Sequence, residues 1–150
     1  ISLGNIKLHM QASEHQVKVA QVMAGTYPTQ TDADGRACSV SFVNMYMGES
    51  RDVILRLDVP AVPKPLEGYE LLTARAQYQV QGVNAEVVHS VDSVAAEVTR
   101  VADDAATLTA QQRDMEVDVQ LTRLECTEAT TAALREADSA NFGRARELLV

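Results

Sequence analysis

The chain has 150 residues, room for one domain and a small second element, and 46% of them are hydrophobic, which excludes global disorder. Aromatics are 4% and Trp is absent, so a core must come from Val, Leu, Ile, Ala and Met. A net charge of −8 disfavours nucleic acid, whose backbone would repel the chain, and disfavours an anionic membrane surface for the same reason.

The charge is unevenly spread. Residues 1–83 hold 8 acidic and 7 basic side chains; residues 84–150 hold 13 and 6. Two cysteines far apart, Cys38 and Cys126, are too few for a secreted disulfide framework and favour an intracellular, reduced setting. No apolar run approaches the ~20 residues that span a bilayer. The start, "ISLGNIKLHM", lacks the regions of a signal peptide and reads as the inside of a strand, so a piece of a longer protein is expected.

"NIKLHMQA" alternates, with Ile6, Leu8 and Met10 on one face and Lys7, His9 and Gln11 on the other, the period of a half-buried strand. "HQVKVAQV" continues it with Val17 and Val19 inward. "TDADGR" offers Asp34-Gly35 as a hairpin turn between "AQVMAGTY" and "ACSVSFV", because Gly accepts positive φ. Cys38, Val40 and Phe42 then share one face, and after the turn "MGES" so do Val53, Leu55, Leu57 and Val59. "PAVPKPLEG" reads as an extended connector. "YELLTARAQYQV" restores alternation through Leu72, Ala74, Ala76, Tyr78 and Val80, and "NAEVVHSVDSVAAEVTRV" supplies one or two more strands. Roughly seven short strands without intervening helices predict an Ig-like antiparallel β-sandwich over residues 1–101.

From about Thr107 the texture changes. Asp103-Asp104 suits a helix start. Met115, Val119, Thr122, Cys126, Ala129, Ala133 and Ala137 recur at helical steps and trace one stripe. A break at residues 138–141 offers caps for a second helix carrying Phe142, Ala145 and Leu149 on one side. Residues 102–150 are therefore expected to form a two-helix hairpin. An isolated pair of helices is marginal in water, so its stripe should pack on the sandwich or on a second copy as a homodimer. Met115→Asp or Val119→Asp would then bury an unpaired charge.

With Gly35 at position six of a calcium loop, position one is Gln30 and position twelve is Ser41, so the bidentate carboxylate is missing and the turn reading is stronger. His9, His15, His89 and the two cysteines show no zinc spacing, though His9 and His15 could meet across a hairpin. Both cysteines fall in apolar register and read as small core residues. G-x-S-x-G and GKS/GKT patterns are absent. Neither a catalytic residue nor a cofactor or metal site is expected. Asp114, Glu116, Asp118, Glu125 and Glu128 form either a solvated helix face or an acidic docking surface for a basic protein partner. A sandwich edge could accept a strand from another chain, and Glu49 with Arg51-Asp52 could guard such an edge.

The run from Gly25-Thr26-Tyr27 through Asp34-Gly35, Met45-Tyr46, Glu49 and Arg51-Asp52 to Val53–Pro60 resembles the segment after a von Willebrand factor A domain in intracellular eukaryotic proteins. "LTRLECTEATTAALREADSANFGRARELL" is similar to that group's closing helical pair. Asn44 before Met45-Tyr46, and Asn141-Phe142, depart from the group's Gly-Asp-Leu-Tyr and Gly-Asp patterns. The group includes plant proteins with a RING finger that resemble ubiquitin ligases. The resemblance implies a non-catalytic scaffold beside an A domain, or alternatively a substrate-positioning region of a RING or U-box ligase. It carries no catalytic residue across.

Overall fold

A computed structural model describes residues 2–14, 16–82, 86–102 and 111–149. Eight strands and two helices follow in order: β1 (Ser2–Ala12), β2 (Lys18–Met23), β3 (Thr29–Thr31), β4 (Ala37–Tyr46), β5 (Ile54–Asp58), β6 (Leu66–Val80), β7 (Val88–Ser90), β8 (Val94–Arg100), α1 (Met115–Asp138) and α2 (Phe142–Glu147). The fold is an antiparallel β-sandwich followed by a two-helix hairpin. The residues divide into two compact units, Ile1–Gln112 and Arg113–Val150.

The larger sheet runs β3-β4-β1-β6-β7, with β8 also pairing with β6. The smaller sheet is β2-β5. The alternating residues decide which face turns inward. Ile6, Met10, Cys38, Val40 and Phe42 from the large sheet form one buried cluster with Val19 and Ala24. Val53, Leu55 and Leu57 pack against it from the β5 side. A second cluster joins Ala12, Val17 and Tyr69 and is covered by Leu57, Val59, Val62 and Leu71. With few aromatics the core relies on methyl-rich packing, and Tyr27 meets Phe42 edge-on with centroids 4.8 Å apart.

Three features differ from the sequence reading. First, Asp34-Gly35 does turn the chain, but between β3 and β4, with Thr31 opposite Cys38. The strand in "AQVMAGTY" is β2, which pairs with β5 in the other sheet. Gly25 at φ 62 and Pro28 separate β2 from the three-residue β3, which is fully exposed and so has no apolar alternation to reveal it. Second, β6 begins inside the expected connector, at Leu66, because that end pairs with Arg100 of β8 rather than with β1. Third, the start of the helix stripe is exposed, with Met115 at 69% and Val119 at 58%, while Ala133 further along it is buried. Phe142 of the second helix and Leu149 beyond its end are likewise exposed, and within that helix only Ala145 is buried. Asp103-Asp104 and His15 lie outside the described residues.

Candidate functional site

The turn after β3 is closed by its own backbone. Asp32 N–H donates to Ala37 O at 2.9 Å, Gly35 N–H donates to Asp32 O at 3.2 Å, and Asp32 Oδ1 accepts Arg36 N–H at 2.6 Å. A carboxylate bonded to backbone in this way is a turn-former. Among the described residues no three His, Cys, Asp or Glu side chains converge as metal ligands. Arg36 extends the same local order by donating to Ser13 O at 2.6 Å, tying the turn to the end of β1.

His9 and Cys38 stand on consecutive rungs of the β1–β4 ladder, so their side chains leave opposite faces of the sheet. Cys38 is buried beside Met10, and burial first, then the charge of Asp32, pushes its thiol above the ordinary range. A thiol so placed is a poor nucleophile. Cys126 is exposed on α1. His9 stands between Ser39 of β4 and Arg75 of β6, and His89 of β7 stacks on Tyr78 at 5.3 Å.

The acidic set on α1 is only partly one surface. At about 100° per residue, Asp114, Asp118, Glu125 and Glu128 fall within about 80° of one another, while Glu116 points to the far side. The first-turn members already have local tasks. Asp114 is the N-cap and accepts Glu116 N–H at 2.9 Å and Val117 N–H at 3.2 Å. Glu116 and Asp118 complement the positive end of the helix, and Asp118 also takes a 3.0 Å ion pair from Arg113. Glu125 and Glu128 lie further along the exposed side. Glu49 and Arg51 pair at 3.0 Å, and Glu49 accepts Tyr46 N–H, so this pair closes the turn after β4.

The sequence reading did not single out β8. Its partner is β6, and its other edge carries no strand among the described residues. Val94 and Ala96 stand beside Ala74 and Leu72, which are themselves opposite Met10 and Ala12 of the inward face. The core-facing side of the large sheet therefore continues onto β8. There, however, Val94 is 68% exposed and Ala96 is exposed too. Val98, beside buried Tyr69, is also exposed, and Arg100 lies 5.5 Å over the Tyr69 ring. The signal was the valine density of "VVHSVDSVAAEV", which reads equally well as a core strand until the pairing order is known.

Among the described residues, no helix is long and apolar enough to cross a membrane. Comparisons with protein-family models, with curated proteins and with solved structures find no match.

Proposed function

We propose that this chain is a non-catalytic interaction module, a scaffold within a larger intracellular protein, that receives an extended segment of a protein partner along β8. The observation that carries this reading is the β8 edge, whose apolar side chains extend the core-facing face into solvent beside a row of backbone donors and acceptors that no strand pairs with among the described residues. Such an edge invites pairing with another strand. β8 contains neither proline nor lysine, two of the residues that commonly blunt exposed edges. The buried, raised-pKa Cys38 fits a module without nucleophilic chemistry. In this reading the module follows an A-type domain, as the resemblance of residues 25–60 implies. The acidic side of α1, through Glu125 and Glu128, is a secondary surface for a basic partner.

The test is site-specific photo-crosslinking in the full-length parent, with the reactive group at Ala96 and a control group at Lys64 in the connector. A discrete protein adduct from position 96, lost when Val94→Glu and Val98→Glu are added, is the expected result. Equal adducts from both positions, or none from position 96, would overturn the reading.

A further inference from the structure

The opposite face of the large sheet carries a separate recognition chemistry. Strand pairing places His9 level with Ser39 and Arg75, and places Lys7 level with Ser41 and Gln77. Opposed residues in a ladder share a face, so these side chains form two adjacent rows on the side away from the core. In both rows every neighbour across β1, β4 and β6 is a hydroxyl, an amide or a cation. No carboxylate enters either row, although the chain has 21 acidic residues and a net charge of −8. Among the described residues the side chains of Lys7, His9 and Arg75 make no hydrogen bond or ion pair. Among the described residues nothing offsets the charges of Lys7 and Arg75.

The shape of the face suits a ligand. A depression of about 380 Å³ is lined by His9, Thr73, Arg75 and Ser93 together with Met10, Cys38 and Ala74, and a second of about 500 Å³ by His9, Gln30, Asp32 and Ser39 together with Cys38. His9, Ala37 and Cys38 line both. Asp32 is the acid at this margin, and its Oδ1 is occupied by Arg36 N–H at 2.6 Å. Glu70 and Glu97 sit opposite each other further along β6 and β8, beyond the two rows.

We infer that this face binds an extended acidic segment of a partner protein, with carboxylates at alternate positions. Lys7 and His9 are two residues apart on one strand, a spacing of about 6.8 Å. Alternate side chains of an extended peptide repeat at that same distance. One carboxylate meets Lys7 and the next meets the His9–Arg75 row, while Ser41 and Gln77 bond the intervening polar groups; Ser39 itself is buried. Arg75 can take a carboxylate through two N–H donors at once. A nucleic-acid strand fits less well, because its continuous charge would also face the acidic remainder of the chain. The same repulsion acts against an anionic bilayer.

The experiment is a fluorescence-anisotropy titration of the whole chain into a labelled peptide of alternating Glu and Thr. Saturable binding that weakens with salt is expected. Lys7→Glu with Arg75→Glu should weaken it by roughly tenfold or more, and Lys7→Gln with Arg75→Gln by a smaller factor, with circular dichroism unchanged. Lys64→Glu, in the connector, should leave it unchanged. Absence of saturation, equal loss with Lys64→Glu, or equal affinity for an alternating Lys and Thr peptide would overturn the inference. So would tighter binding of single-stranded DNA or of phosphatidylserine vesicles. The Val94 and Val98 substitutions act on the other side of the sheet, so failure of the β8 reading and failure of this one are read separately.

Discussion

At Gly35 one residue joins the two sheets. Its carbonyl accepts Val19 N–H at 2.7 Å, so the turn between β3 and β4 is held against β2 of the smaller sheet. The backbone is left-handed there, at φ 67, and an added Cβ would sit 3.3 Å from Val19 O. Gly25 has a similar φ of 62 but meets nothing within 4 Å. Both positions charge an L-residue for its conformation, about 1–2 kcal/mol, but only Gly35 adds a close approach to backbone. Gly35→Ala should therefore lower stability by about 1–2 kcal/mol or more and should exceed Gly25→Ala. Urea denaturation of the two variants measures the difference, and equal midpoints would show that the Val19 contact yields. This residue also marks what sequence could tell. Asp34-Gly35 announces a turn by its chemistry alone. Which strands the turn joins depends on pairing across the sandwich, which no local pattern encodes.

The elements divide by how strongly their period is tied to burial. β1, β2 and β4 were legible because Ile6, Met10, Val17, Val19, Val40 and Phe42 alternate and are all buried. β3 was invisible because three exposed residues carry no pattern. β8 was visible as a strand but not as an edge, since a valine-rich run is the same string in either place. The helical stripe is a weak signal for a related reason: Ala, Thr and Cys at helical steps satisfy a pattern without supplying much surface to bury. α1 instead satisfies itself. Thr122, Thr127, Thr130 and Thr131 each donate a hydroxyl to the carbonyl four residues back, and Asp114 caps its start. Met115 is exposed, so Met115→Asp should change stability by no more than about 0.5 kcal/mol. Asp114→Ala removes a cap that holds two N–H groups and should cost about 1 kcal/mol. Thermal melting followed at the helical circular-dichroism band gives the order. A larger loss from Met115→Asp would mean that the stripe is covered after all.

For the whole molecule, the two units should differ in their ability to fold alone. The sandwich unit, Ile1–Gln112, holds both buried clusters, in which Val17 and Val40 are fully enclosed. Its sheets close their own ladders, so cutting after Gln112 removes no strand pairing. Among its described residues the helical unit, Arg113–Val150, has only Ala133 and Ala145 buried. Chains below about 40 residues rarely sustain a core without disulfides, metals or a partner, and two alanines offer little apolar area. A fragment ending at Gln112 should keep its β-type circular dichroism and a cooperative urea transition. The separate helical fragment should show low helicity that rises with trifluoroethanol, because nucleation is costly and propagation alone sustains a threonine-rich helix poorly. Cooperative melting of the helical fragment by itself would contradict this, and so would collapse of the truncated sandwich. Concentration-dependent helicity would identify self-association as the source of the missing burial, which analytical ultracentrifugation of the same fragment would then size directly.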